Sequence, residues 1–206
     1  VLMHKIAYRR ILMALNHAIL SLLIDNPCSG YDLAKEFSES VNFFWKATHQ
    51  QIYRELAKLE DQKLVTVEAI AQTGRPDKKL YSITEPGKKF LLQWLLQPCD
   101  VMPIKEDLLV KLWASNLASI TPLIDQFQAV ETLLEEFHRH RQFHTEKLAT
   151  YHQIQQQYFS NSAELSFGQK YRYLVLRRGI RYEQDYIEWC DEVLEVLSND
   201  SQRKPV

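Results

Sequence analysis

Glycine and proline are scarce in this chain, with 5 and 7 respectively in 206 residues and long stretches free of both. Helix interiors tolerate neither well, so the scarcity points to a mostly helical protein. Few glycines also leave few places for a loop that cradles a phosphate. The sequence contains no GxGxxG, P-loop, GxSxG or HExxH pattern. Nothing arranges its Glu and His residues as nucleophile, base and orienting group, so an enzyme is not expected. The 3 cysteines (Cys28, Cys99, Cys190) are far apart and show no CxxC spacing, which argues against a disulfide framework or a zinc site. No apolar run reaches the roughly 18 residues of a membrane span, and no signal-peptide core precedes a small-residue cleavage site. A cytoplasmic protein without a membrane partner is expected. Excess charge is missing too: the formal net charge is -1, so a nucleic-acid surface would have to be local.

Such a surface is present. Ala47 to Thr84 reads as an amphipathic helix followed directly by a two-stranded hairpin. Ile52, Leu56 and Leu59 form one buried stripe, Gln50, Arg54 and Ala57 face the other way, and Tyr53 lies at the flank. Thr48 is suited to cap the helix start, where backbone N–H groups lack partners. VTVEAI and KLYSIT alternate as strands do, and AQTGRPDK between them forms a turn carrying Arg75, Lys78 and Lys79. From Arg75 to Lys89 five basic residues (Arg75, Lys78, Lys79, Lys88, Lys89) face only Asp77 and Glu85. A helix with a polar face and a hairpin with a basic tip suit a winged-helix reader of double-stranded DNA. Thr48, His49, Gln50, Tyr53, Arg54 and Lys58 belong to the recognition helix, and Arg75, Lys78 and Lys79 are the phosphate contacts. Glutamine pairs with adenine, and arginine with guanine or phosphate. The alternative reading of the same residues is a solvated helix face and a soluble charged turn.

Upstream, Leu15, Ala18, Ile19, Leu22 and Leu23 mark a first helix that stops at Asn26-Pro27. Ser29-Gly30 starts a second, with Tyr31, Leu33, Ala34 and Phe37 as its apolar residues. Phe43, Phe44 and Trp45 in the next connection are large enough to seal a small core. Thr84-Glu85-Pro86-Gly87 opens a fourth helix running through Leu96. HAILSLL, SGYDLAKEF, Trp45 with Thr48, QIYRELAKLEDQKLV and GRPDKKLYSITEPGKKFL, in this order, closely resemble the PadR family of bacterial transcriptional regulators over residues 13–97. Two positions depart from the family pattern: Lys63 stands where Gly is common, and His49-Gln50 where small residues are. The resemblance implies a winged helix-turn-helix, operator DNA as partner, and a small aromatic effector, since such regulators often sense flat or phenolic compounds.

Beyond PCDVMP, IKEDLLVKLW continues as a helix into Ala114 and Leu117. A long helix starts at Thr121-Pro122, with Phe127, Val130, Leu134, Phe137, Arg141, His144, Leu148, Tyr151, Gln155 and Tyr158 as a seam. It breaks at Ser160-Asn161-Ser162. A last helix runs from about Phe167 to Leu197, with Tyr182, Tyr186, Trp189, Val193 and Val196 in line. The region resembles the helical dimerisation domain of longer PadR-type proteins. Phe127, Val130, Leu134, Phe137, Tyr182, Tyr186, Trp189 and Val193 are the expected dimer contacts. His140 and His144 share a face at a spacing able to chelate a transition metal, but no neighbouring Glu, Asp or Cys completes a ligand set. A polar interruption of the dimer seam is expected instead, with no resident metal and no cofactor. Trp94, Trp113, Tyr151, Tyr158, Tyr171, Tyr173, Tyr182, Tyr186 and Trp189 suit either packing or an effector pocket.

The expected protein is mostly α. Residues 1–12 are an N-terminal extension or tag remnant, and 13–97 a winged helix-turn-helix of three helices plus a β-hairpin wing. Residues 98–103 are a linker, 104–197 an antiparallel, coiled-coil-like dimerisation domain, and 198–206 a disordered tail. The expected function is that of a PadR-like regulator, a repressor, which binds an inverted-repeat operator as a homodimer. The alternatives are a winged-helix protein-interaction adaptor and a metal- or haem-responsive regulator.

Overall fold

The structure, a computed structural model, describes residues 14–24, 26–71, 78–101, 103–115, 126–161 and 164–201. The chain forms two compact units, Val1–Val101 and Met102–Val206. In the first, α1 (14–22) is followed by β1 (Cys28–Ser29), α2 (Gly30–Glu39), a 3-10 turn (Val41–Phe43) and α3 (His49–Asp61). Then come β2 (Val65–Ile70), β3 (Lys78–Ile83) and α4 (Glu85–Leu95). The second unit holds α5 (Asp107–Ala114), α6 (Gln126–Phe159) and α7 (Phe167–Ser201). Among the described residues no helix is long and apolar enough to cross a membrane.

The first unit is built around one apolar core. Ile19 and Leu20 of α1, Leu33 and Phe37 of α2, and Ile52 and Leu56 of α3 are fully buried in it. Burying each such side chain contributes roughly 1.5–3 kcal/mol. The hairpin is part of a three-stranded sheet in the order β1-β3-β2, with Cys28 opposite Tyr81 and Val67 opposite the other edge of Tyr81. The third strand departs from the expected two-stranded hairpin: two residues are too short to show an alternating pattern. Tyr31 is 66% exposed because Gly30, Leu33, Ala34 and Phe37 take the inner face of α2. Phe44 is 61% exposed, leaving Trp45 to pack partly against the core.

Backbone geometry explains how α3 hands over to the wing. Lys63 has φ 58, a left-handed conformation that glycine adopts more easily. Leu64 N–H donates to Leu59 O at 2.9 Å, and Lys63 N–H to Glu60 O at 2.8 Å, the paired bonds of a Schellman cap. Lys63 thus performs the turn for which a glycine is common in the family. Thr84 then ties the start of α4 to this corner. Its hydroxyl accepts from Gly87 N–H at 3.1 Å and donates to Leu64 O at 3.0 Å. Gly87 is confined by the same carbonyl, since a Cβ there would stand 2.2 Å from Leu64 O.

In the second unit α6 and α7 run antiparallel: Phe137 meets Trp189, His144 meets Glu183, and Gln155 meets Tyr173. Leu108 of α5 packs with Leu133, Phe137 and Tyr186 at one end. Helix α5 starts at Asp107, not Ile104, because Glu106 is extended (φ -141) and the exposed Ile104 has no contact to gain from joining the helix. Leu117 and Thr121-Pro122 lie outside the described residues, as do residues 1–13. The buried line of α7 is Leu176, Ile180, Glu183, Tyr186, Cys190, Val193, Leu194 and Leu197. The expected stripe is therefore displaced: Tyr182 is 44% and Val196 60% exposed. A stripe drawn through apolar residues skips Glu183, although that carboxylate sits inside the seam. Tyr158, expected in the α6 seam, is also exposed.

Candidate nucleic-acid interface

Helix α3 begins with a complete capping box. Thr48 Oγ1 accepts from Gln51 N–H at 3.2 Å, and Gln51 Oε1 accepts from Thr48 N–H at 2.8 Å. Thr48 and Gln51 therefore hold the first turn in place. With Ile52, Leu56 and Leu59 buried, His49, Gln50, Tyr53 and Arg54 are left exposed on the opposite side. Among the described residues neither Gln50 nor Arg54 makes a side-chain hydrogen bond or ion pair, so both remain available to a ligand. Tyr53 has a second task. Its ring lies against the first turn of α2, where a Cβ on Gly30 would stand 2.6 Å from Tyr53 Cε1. This close approach sets the spacing of the helix-turn-helix.

The basic residues differ in how free they are. Lys58 pairs with the buried Glu55 at 2.7 Å, which partly neutralises it. Lys78, at the base of the wing, pairs with Asp32 of α2 at 3.0 Å. Ser29 Oγ donates to the same carboxylate at 2.6 Å, and these contacts, Ser29 first and Lys78 second, hold the Asp32 ionisation below its ordinary range. Lys79 is exposed and forms no ion pair among the described residues. Arg75 lies outside them. Sequence reasoning missed Glu55 and Asp32: an acid spaced three residues before Lys58 was visible as a signal, whereas Asp32 is remote from Lys78 in sequence.

In the helical unit, Phe137, Tyr186 and Val193 of the expected dimer set are buried between α6 and α7 of one protomer. Val130, Leu134 and Trp189 are half-buried, Tyr182 is exposed, and the side chain of Phe127 is outside the described set. A heptad pattern shows that a helix has a partner but not whether the partner belongs to the same chain. The histidines have acidic neighbours in the fold. His144 Nδ1 meets Glu183, which also accepts from Lys147 Nζ at 3.3 Å. His140 Nε2 lies 3.8 Å from Glu136, one turn earlier on the same helix. Tyr186 OH donates to Glu106 and lies 3.2 Å from His140 Nδ1. Burial first, and Arg139 second, lower the ionisation of His140. Among the described residues no group of three His, Cys, Asp or Glu is arranged to hold a metal.

Residues 19–93 match the family described as "Transcriptional regulator PadR-like family", and residues 128–198 match "Virulence activator alpha C-term". A Mycobacterium tuberculosis protein named "Probable transcriptional regulator Rv1176c" is 37% identical over 195 residues, covering 90% of this chain and 98% of the relative. The chain belongs to the PadR-like family of transcriptional regulators. The fold agrees with solved members. The Vibrio cholerae virulence activator AphA is 36% identical with a TM-score of 0.68, covering 90% of this chain and 98% of that one. Bacillus subtilis PadR in complex with operator DNA is 28% identical with a TM-score of 0.69, covering 89% and 99%. The same Bacillus subtilis protein is also solved in complex with p-coumaric acid, at 27% identity, a TM-score of 0.68 and coverage of 91% and 97%. Among the described residues the PadR-like architecture here comprises a small sheet-bearing winged unit and, in the second unit, the helices α5, α6 and α7.

Proposed function

We propose that this PadR-like protein is a homodimeric transcriptional repressor that reads an inverted-repeat operator. The observation that carries the reading is the exposed, capped face of α3, with Gln50 and Arg54 unengaged and a basic hairpin following at once. In this reading residues 13–97 bind DNA, 98–103 are a linker and 104–197 dimerise. Helix α3 enters the major groove, where His49, Gln50, Tyr53 and Arg54 meet base edges and phosphates. Lys58, Arg75, Lys78 and Lys79 lie along the backbone. The relative from Bacillus subtilis solved with operator DNA supports the DNA partner, and its complex with p-coumaric acid supports a small aromatic effector. Trp113, 86% exposed, and its neighbour Val110 supply apolar surface on the helical unit that a second copy would cover. A two-fold dimer places its half-sites about one helical turn apart.

The test is fluorescence anisotropy on DNA from the protein's own upstream region across a salt series. Tight binding resistant to competitor DNA is expected. Its logarithmic salt slope should amount to about -0.9 per phosphate neutralised. Gln50→Ala and Arg54→Ala should each weaken specific binding by about 1–3 kcal/mol while sedimentation still shows a dimer. Equal affinity of both variants and the unaltered protein would refute the assignment of α3.

A further inference from the structure

We propose that the docking of α5 onto α6 and α7 is proton-linked, with His140 as the group whose protonation releases the helix in acid. Helix α5 is a weak element by itself. It has 8 residues, too few to hold a helical form in water without packing. Of its apolar side chains Leu108 is buried and Leu112 partly buried, whereas Val110 and Trp113 are 66% and 86% exposed. Two polar links supplement that small anchor. Lys111 Nζ lies 3.4 Å from Glu136 of α6, and Glu106, just before α5, receives the Tyr186 hydroxyl of α7.

His140 stands where both links meet. Its Nε2 lies 3.3 Å from Arg139 Nη2, and a guanidinium only donates, so Nε2 accepts and Nδ1 carries the hydrogen. Nδ1–H then donates to Tyr186 OH at 3.2 Å, and Tyr186 O–H to Glu106. The groups facing the ring are Glu136, Arg139 and His144 of α6, Tyr186 of α7, and Glu106. A second proton has Nε2 as its only place. There it abolishes the contact with Arg139, sets two cations side by side, and turns an N–H toward Glu136, 3.8 Å away. Glu136 is the carboxylate that Lys111 of α5 uses, so a charged His140 competes with Lys111 for it. Burial first, and Arg139 second, lower the ionisation of His140, and Glu136 and Glu106 only partly oppose them. The docked arrangement therefore prefers the neutral ring. Docking is at full strength above the ordinary imidazole range and weakens as pH falls through the lowered value, because the released state binds the proton more readily.

Hydrogen–deuterium exchange of the full-length protein, without DNA, tests this independently of the operator reading. Protection of the Asp107–Ala114 amides, corrected for the intrinsic pH dependence of exchange, should fall by about threefold or more between about pH 7.5 and about pH 5.5. The H140Q variant, whose amide donates and accepts but does not titrate, should lose this pH dependence. Because H140Q also alters the contact with Tyr186, a second measurement is needed. NMR titration of the His140 ring reads the same coupling from the other side. L108A removes the apolar anchor of α5 and should raise the His140 midpoint toward the ordinary imidazole value. Constant protection in the unaltered protein, a pH dependence that survives in H140Q and so belongs to His144, or an unchanged His140 midpoint in L108A would each overturn the proposal.

Discussion

The winged unit and the helical unit solve the same packing problem with different chemistry. In the winged unit, apolar side chains from α1, α2, α3, β2, β3 and α4 converge from several directions on one core. In the helical unit two helices of 34 and 35 residues meet along a single line, and that line contains a buried imidazole, a buried carboxylate and an ammonium. An apolar seam between two long helices is tolerant of sliding, because one leucine fits almost as well against the next. A buried carboxylate held by an imidazole and an ammonium does not tolerate it, since displacement leaves the carboxylate without its partners. The contrast therefore suggests that His144 and Glu183 set the register of α6 against α7, while the winged unit, which buries His17 and Glu55 among its polar residues, is held mainly by the convergence of apolar side chains.

Removing one partner of the buried pair should have the largest effect. Glu183→Ala leaves His144 and Lys147 facing an apolar seam and should cost about 3–5 kcal/mol in denaturant unfolding, whereas the double variant H144L/E183L should recover most of that stability. If the double variant is no better than the single one, the pair matters for more than its charge. In the winged unit the comparable weak point is steric. Gly87→Ala drives a methyl toward Leu64 O, 2.2 Å from its ideal position, and should cost about 3 kcal/mol, visible as a lowered Tm. A smaller effect of opposite sign is expected at Lys63. Substitution by glycine relieves its positive φ and should stabilise the protein by roughly 1 kcal/mol in the same assay.

The smallest effect concerns the base of the wing. Asp32→Asn should change stability by less than about 1 kcal/mol, since the Asp32–Lys78 pair is half exposed. The lowered Asp32 ionisation gives its contribution a sign. The contribution is present above the ordinary carboxylate range and is lost as pH falls through the lowered folded-state value. Urea melts on the acid side should therefore converge for the two proteins, and a gap that persists in acid would exclude the ion pair as its cause. The same variant releases Lys78, so a steeper salt slope of DNA binding would identify that lysine as a phosphate contact held in reserve.

Much of the winged unit was legible because its signals are local. The 4,3 spacing of Ile52, Leu56 and Leu59, the Thr48 cap and the alternation of VTVEAI and KLYSIT each act within a few residues. They required no knowledge of what the chain packs against, and the family resemblance runs through the same segments. The exposed DNA-facing candidates follow from them, being what remains once the buried stripe is assigned. The helical unit was legible only as a pattern. Its helices were foreseen, but the stripe on α7 fell beside the real one, because a carboxylate at Glu183 looks like a surface residue until a histidine is found opposite it.

Helix-rich composition, helix ends, the wing and the polar face of α3 are therefore properties of the chain as written, because propensity and capping operate over one or two turns. Folding in three dimensions added the contacts between remote residues. It brought Cys28–Ser29 to the edge of β3, placed Leu64 O against Gly87, closed Asp32 on Lys78, and joined Tyr186 to Glu106 across 80 residues. Such pairs carry no periodicity in the sequence. The energy of a buried charge or a close backbone contact depends on what fills the space beside it, and that is set when the elements pack.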